Sequence, residues 1–171
     1  MALTSEDLEN PLFIHDGPLR RCWMNETFEI EASVQDVFAF LSAIDDWSNW
    51  VPRLRSVVRA SDGPARVGTR FLAVVEMPVL QRVVTPCRIV RWDLHTLEWG
   101  AGPAWACVRH RFDLTPLGPT RTKVQHTERS RGPLALIFRP FEAMAHEFNR
   151  GWSRALQARF VRTAPALSAR S

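Results

Sequence analysis

The C-terminal part of the chain carries a long, two-sided helical pattern. From Gly132 to Val161, large apolar residues recur at steps of three and four, which is the spacing of one helix face. The opposite face is polar, which predicts that the helix lies at a surface. The apolar face is made of Leu134, Ile137, Phe141, Met144, Ala145, Phe148, Trp152, Ala155 and Leu156, and the polar face of Glu142, His146, Asn149, Arg150 and Ser153.

Two prolines define how this helix begins and bends. Pro133 suits the first turn, where a backbone donor is not needed, and Pro140 predicts a kink. The aromatic rings of Phe141, Phe148 and Trp152 need a broad apolar partner, so we expect all three to be buried against a sheet.

The preceding chain supplies that sheet. Residues 21–31 alternate between apolar and polar side chains, which predicts a first strand with one wet face. Ser33 and Asp36 resemble a capping box that opens a helix, and a second short helical segment is expected at 45–50. Turn residues then separate six further strands, at 54–60, 69–77, 81–92 (with a bulge at Pro86), 94–99, 104–115 and 121–129. Short connections between consecutive strands predict an antiparallel sheet that curves around the long helix.

Length and composition predict one domain in a cytoplasmic protein. A chain of 171 residues suits one core, which we place at residues 21–163, between an extended arm (1–20) and a flexible tail (164–171). No apolar run reaches the roughly 20 residues of a membrane span, and the acidic start lacks the apolar segment of a secretory signal. Three cysteines without metal spacing (Cys22, Cys87, Cys107) fit reduced thiols.

Charge and motifs exclude several function classes. The net charge is +4, but no block of like charges favours nucleic-acid binding. Histidine and cysteine do not cluster as they do at a metal site, no glycine-rich phosphate loop is present, and we expect no cofactor. Arg109 and Arg111 are expected on the outer face of the sheet, and Cys107 is expected to point away from the interior.

Several segments together resemble the SRPBCC superfamily, which contains the START lipid-transfer domains and the polyketide cyclase/dehydrase-like proteins. These segments are Ile30-Glu31-Ala32-Ser33, Val37-Phe38-Ala39-Phe40-Leu41, Trp47-Ser48-Asn49-Trp50-Val51-Pro52, Val67-Gly68-Thr69 and Gly132-Pro133-Leu134. The resemblance implies an α+β helix-grip fold: a curved antiparallel sheet of six to seven strands around a long C-terminal helix, with two short helices after the first strand.

The same resemblance implies a cavity for a hydrophobic or aromatic small molecule between sheet and helix. It favours a cofactor-free polyketide cyclase or dehydratase, with an acyl carrier protein as a candidate partner; the alternative is a non-catalytic carrier or sensor of lipids, quinones or aromatic metabolites. The expected ligand-binding residues are Trp50, Phe71, Val75, Trp99, Val108, Phe112, Val124, Phe141, Phe148 and Trp152.

Three polar residues stand out on the predicted inner face of the sheet. If the last hairpin turns tightly over residues 117–119, His110 lies opposite His126, and Glu128 is diagonal to His110. Two imidazoles and a carboxyl group on an apolar wall can move protons near neutral pH, so His110, His126 and Glu128 are the candidate catalytic residues. The alternative is that the three bond only to one another or to water.

One connection is unusually apolar. Pro78-Val79-Leu80 joins two strands, and we expect it either to form an exposed tip that gates the cavity or contacts a partner, or to pack against a neighbouring loop.

Overall fold

The structure, a computed structural model, describes residues 19–60, 62–77, 81–137 and 139–161. The predicted arm, apart from its last two residues, lies outside the described residues, as do the predicted tail and the Pro78-Val79-Leu80 connection. The predicted domain is described except at its last two residues and three internal gaps.

Seven strands form one antiparallel sheet, as the alternating pattern predicts. The strands are β1 (Arg20–Ile30), β2 (Leu54–Arg59), β3 (Arg70–Met77), β4 (Gln81–Asp93), β5 (Thr96–Ala101), β6 (Cys107–Gly118) and β7 (Arg121–Arg131). Their order across the sheet is β1-β7-β6-β5-β4-β3-β2, so the first strand in the chain pairs with the last. This arrangement and the long C-terminal helix confirm the helix-grip fold.

Helical segments cover one face of the sheet. They are α1 (Val34–Ser42), a 3₁₀ turn (Ile44–Asp46), α2 (Trp47–Trp50), α3 (Pro133–Ile137), a second 3₁₀ turn (Arg139–Phe141) and α4 (Glu142–Phe160). The Ser33 side chain accepts a hydrogen bond from the Asp36 backbone amide, which confirms the predicted cap of α1. No helix in the described ranges is long and apolar enough to cross a membrane.

The C-terminal helix is divided rather than continuous. The sequence predicts one kinked helix from Gly132 to Val161, whereas the chain forms α3, a 3₁₀ turn that contains Pro140, and then α4. Proline has no amide proton and its ring crowds the carbonyl four residues earlier, which accounts for a break instead of a bend.

The buried face of α4 is also rotated from the predicted one. Asn149, Trp152, Ser153 and Leu156 are the buried residues, so two residues assigned to the polar face point inward. Phe141 and Phe148 are only half-buried, which corrects the expectation that both are core residues. Phe148 instead lines an outer groove of about 460 Å³ between α4 and the segment that follows α2.

A group of tryptophans holds the helices to the sheet. The ring centroid of Trp152 on α4 lies 5.0 Å from that of Trp47 on α2 and 5.3 Å from that of Trp99 on β5. Trp47 and Trp99 are 4.6 Å apart, and all three side chains are buried. These contacts between three separate elements form the centre of the core.

One bulge lies at a different place from the prediction. Pro86 pairs regularly with Leu72, and the register of β4 shifts between Ile89 and Arg91 instead.

Gly132 allows the chain to leave β7 and enter α3. Its φ is +71°, and a Cβ atom built there would lie 2.1 Å from the Trp105 carbonyl oxygen. We therefore expect Gly132→Ala to lower the free energy of unfolding by about 3 kcal/mol or more, measured by urea denaturation.

The matched control is Gly63→Ala. Gly63 also has a positive φ, +88°, but no heavy atom lies within 4 Å of its built Cβ. Only the backbone strain remains there, so the loss should be about 1 kcal/mol. Equal losses in the two variants would show that the close approach at Gly132 is unimportant.

Candidate functional site

The inner face of β6 and β7 brings the three candidate catalytic residues together, but not in the predicted pairs. His110 lies opposite Glu128, and Phe112 lies opposite His126. The predicted opposition of His110 and His126 is therefore wrong by two residues, although both face the interior. The strands continue to Gly118 and Arg121, so the turn lies at residues 119–120 and not over 117–119. A shift of two preserves the face of every side chain and changes only its partner.

The half-buried His110 and the buried Glu128 face each other as an acid–base pair. His110 Nε2 is 3.6 Å from Glu128 Oε1, and the imidazole stacks on Trp99 with ring centroids 5.1 Å apart. Burial lowers the pKa of His110 to about 4 and raises the pKa of Glu128 to about 8. At neutral pH the imidazole is therefore uncharged and the carboxyl group keeps its proton.

His126 is held by the C-terminal helix. Its Nδ1 lies 3.1 Å from Ser153 Oγ, and its ring stacks on Phe112 at 3.9 Å between centroids. Burial, followed by the nearby His110, places the pKa of His126 well below its usual value. His126 therefore stays neutral, with one nitrogen fixed by Ser153.

Two ion pairs between α4 and β1, combined with the pairing of β1 and β7, show the level of β7 at which each part of α4 lies. Glu142 bonds Arg21 at 2.7 Å, and Arg21 pairs with Ser130. One end of α4 thus lies level with Ser130.

Further along the helix, Arg150 bonds Glu26 at 3.1 Å, and Glu26 pairs with His126. The helix therefore runs from the level of Ser130 to that of His126. Asn149, one turn before Ser153, falls near the level of Glu128.

Several buried polar atoms in this region have no hydrogen-bond partner among the described residues. Buried polar groups normally bond to protein or to water, so such a group of atoms marks a place where water or a ligand binds. The atoms are His110 Nδ1, His126 Nε2, Glu128 Oε2, Ser130 Oγ, Asn149 Oδ1, Trp50 Nε1 and Trp152 Nε1.

Ser130, Asn149 and Ser153 were missed by the sequence analysis. The alternation that places His126 and Glu128 inside also places Ser130 there. Two buried histidines also require polar partners on the facing helix, and Asn149 and Ser153 are the polar residues adjacent to Trp152 on one face. These signals were present in the sequence.

The expected ligand-binding residues divide into two groups. Phe71, Val75, Trp99, Phe112, Val124 and Trp152 are buried in the packed core, whereas Trp50, Val108, Phe141 and Phe148 are half-buried. Val108 pairs with Ser130, and Phe141 immediately precedes Glu142, which reaches the same level. Two of the half-buried residues, Val108 and Phe141, therefore lie at the Ser130 end of the inner face, next to the level of His110 and Glu128.

The outer face carries a different set of charges. Arg111 bonds Asp113 at 2.7 Å and lies 3.7 Å from Glu98, and Arg109 also approaches Glu98, so both arginines face outward as predicted. Burial raises the pKa of Glu98. Within the described ranges, no group of three or more histidine, cysteine, aspartate or glutamate side chains could hold a metal ion.

Comparison with known proteins identifies the family. The family described as polyketide cyclase/dehydrase and lipid transport matches residues 21–165, most of the chain. The chain belongs to this family. The family and the fold together indicate binding of a hydrophobic ligand. A search of the curated proteins found no match.

Several solved structures have the same fold as this family member, although their sequences are only distantly similar to it. A START superfamily protein from Mycobacterium smegmatis is 18% identical, with a TM-score of 0.63 over 80% of this chain and 95% of that one. The ZhuI aromatase/cyclase from Streptomyces sp. R1128 is 11% identical, with a TM-score of 0.69 over 87% and 98%. The major latex-like protein 151 of Panax ginseng is 10% identical, with a TM-score of 0.65 over 84% and 99%.

The protonated carboxyl group of Glu128 should be visible in the pH dependence of stability. Its folded pKa of about 8 exceeds its ordinary value of 4.5, so between these values the folded chain binds a proton that the unfolded chain has lost. Stability therefore falls as pH rises through this window. The two histidines have lowered pKa values and act in the opposite direction, but only below about pH 6.5.

We expect the free energy of unfolding to fall between about pH 6.5 and 8, by up to about 1.4 kcal/mol per pH unit, and Glu128→Gln to remove most of this slope. Denaturant unfolding at a series of pH values measures it. Glu29→Gln, at an exposed position on β1, is the control and should keep the wild-type slope. A Glu128→Gln variant with an unchanged slope would contradict the protonated carboxyl group.

Proposed function

We propose that this protein is a cofactor-free polyketide cyclase/dehydratase-like enzyme. The observation that carries the proposal is the His110–Glu128 pair, in which a neutral imidazole and a protonated carboxyl group lie 3.6 Å apart on the inner face of the sheet. A base and an acid that are both ready at neutral pH are what carbon–carbon bond formation between ketone groups requires. The family description and the fold shared with the ZhuI aromatase/cyclase support this reaction class.

The unpartnered atoms suggest how the pair divides its roles. The tautomer with its proton on His110 Nε2, the nitrogen that faces Glu128 Oε1 at 3.6 Å, leaves the lone pair of Nδ1 for a substrate proton. Glu128 Oε2 then carries the acidic proton. Both Nδ1 and Oε2 are buried and without a protein partner among the described residues, as this assignment requires.

The proposed reaction then balances within the pair. His110 Nδ1 removes a proton from the carbon between two carbonyl groups, and the resulting carbanion attacks a second carbonyl carbon of the same chain. Glu128 gives its proton to that carbonyl oxygen, which becomes a hydroxyl group. In the dehydration, the Glu128 carboxylate removes a proton from the adjacent carbon and the His110 imidazolium protonates the leaving hydroxyl, so one water leaves and both residues return to their first state.

The other residues position the substrate. His126, fixed by Ser153 and stacked on Phe112, offers Nε2 to a substrate oxygen without changing its own charge. The half-buried apolar side chains of Val108, Phe141 and Trp50 contact the substrate chain. Holding a flexible substrate in its reactive orientation supplies much of the rate enhancement in a reaction of this kind. We propose an acyl carrier protein as the partner that delivers the substrate. We also propose a cytoplasmic location, where the thiols of Cys22, Cys87 and Cys107 would stay reduced.

A short linear poly-β-ketone thioester is a direct test substrate. Purified protein should convert it to a cyclised product with loss of one water per ring, followed by mass spectrometry. His110→Gln and Glu128→Gln should each lower kcat at least about 100-fold while ligand affinity changes only a few-fold, because the apolar walls bind and the pair reacts. His95→Gln, at an exposed position in the turn between β4 and β5 beside Leu114, is the control and should keep wild-type kcat.

The pH profile provides a second measurement. The logarithm of kcat/KM should rise up to the pKa of His110, about 4, stay level, and fall above the pKa of Glu128, about 8. Tight binding of the thioester without turnover in the wild-type protein would instead support the non-catalytic carrier.

A further inference from the structure

The outer face of the sheet carries an exposed apolar patch on its β2 side. Val58, Leu72 and Pro86 lie side by side on three adjacent strands, because Leu72 pairs with both of the others. Val84 lies in the next outward row, opposite Val74. The side chains of Val58, Leu72 and Val84 are 56%, 44% and 57% exposed. A contiguous apolar group of this kind on a solvent face marks an interaction site.

Two exposed arginines border this patch. Arg70 and Arg88 lie directly opposite each other on β3 and β4, and both are exposed. Like charges at directly opposed positions repel, and the described part of the chain gives neither guanidinium group a hydrogen-bond or ion-pair partner. An anion between them would relieve the repulsion.

The rest of the outer face is also basic. Arg109 and Arg111 are partly neutralised by Glu98 and Asp113, whereas Lys123 and Arg129 on β7 are exposed. Positive charge thus extends across several strands, which suits an extended anionic surface better than a single acidic peptide.

We propose that the patch of Val58, Leu72, Val84 and Pro86, with Arg70 and Arg88, binds the surface of an anionic lipid bilayer. Apolar side chains enter the interface and arginines hold the phosphate groups, the two contributions that peripheral membrane binding combines. The outer face of a curved sheet is convex and meets a plane along a narrow strip, and β3 and β4 give that strip its apolar centre and cationic border.

The charges also argue against a second copy of this chain as the occupant. A self-complementary contact would place the opposed Arg70 and Arg88 of one copy against the arginines of the next, which costs electrostatic energy. None of Val58, Leu72, Val84 and Pro86 is an aromatic anchor of the kind that carries affinity in most protein interfaces.

Sedimentation with lipid vesicles tests this inference. The full-length chain should bind vesicles of phosphatidylcholine with about one third phosphatidylglycerol, should bind pure phosphatidylcholine weakly, and should dissociate at high salt. Arg70→Gln/Arg88→Gln should weaken binding to the anionic vesicles at least about tenfold. Leu72→Gln/Val84→Gln should weaken it as well, with melting temperatures measured to confirm that each variant is folded.

The matched control is Arg154→Gln/Arg159→Gln, which removes the same charge from exposed positions on α4, on the other side of the sheet, and should change vesicle binding less than twofold. Equal losses in the two charge variants would overturn the proposal, since binding would then depend only on net charge. Absence of binding to anionic vesicles would overturn it too. A concentration-dependent dimer that Leu72→Gln abolishes would show that a second copy occupies the patch. The patch faces away from His110, so none of these outcomes depends on turnover.

Discussion

The position of Trp152 determines how the rest of the site is arranged. Its indole meets Trp47 and Trp50 from the short helical segment and Trp99 from the sheet, and each such contact between rings contributes about 0.5–1.5 kcal/mol beyond the area it buries. A side chain of this size on α4 fits the interior in one rotation of the helix. Because Trp152 points inward, its neighbours Asn149 and Ser153 are turned toward β7, where Ser153 meets His126. The polar part of the site therefore depends on an apolar contact.

Much of the fold could be predicted because it follows from local patterns. The alternation of apolar and polar residues locates the strands to within a few residues, and Ser33 and Asp36 mark the start of α1. Each pattern requires only a short segment, and the resemblance to a known family supplied the way in which the segments assemble. The sequence does not show whether the helix bends or breaks at Pro140, because a proline inside a helical pattern is compatible with either.

The pairing within the site could not be predicted in the same way. Alternation alone places His110, His126 and Glu128 on the inner face of the sheet. A shift of register by an even number of residues does not change that face. Their partners depend on where the hairpin turns. The sequence favours a turn at Leu117-Gly118-Pro119, whereas the chain turns at residues 119–120, and this shifts the pairing of the two strands by two residues. On α4, Asn149 and Ser153 were assigned to the outside because they are polar, although the buried histidines needed polar groups opposite them. A pattern that treats every polar residue as exposed misplaces the ones that a site uses.

The buried carboxyl group of Glu128 also changes the proton inventory of the protein. At neutral pH an unfolded chain has released this proton, whereas the folded chain retains it, so folding takes a proton from the solvent. A ligand that places a cation or a strong hydrogen-bond donor beside Glu128 would return the proton to the buffer. The heat measured on binding would then vary with the ionisation enthalpy of the buffer, and the same ligand would bind with different apparent enthalpies in phosphate and in Tris.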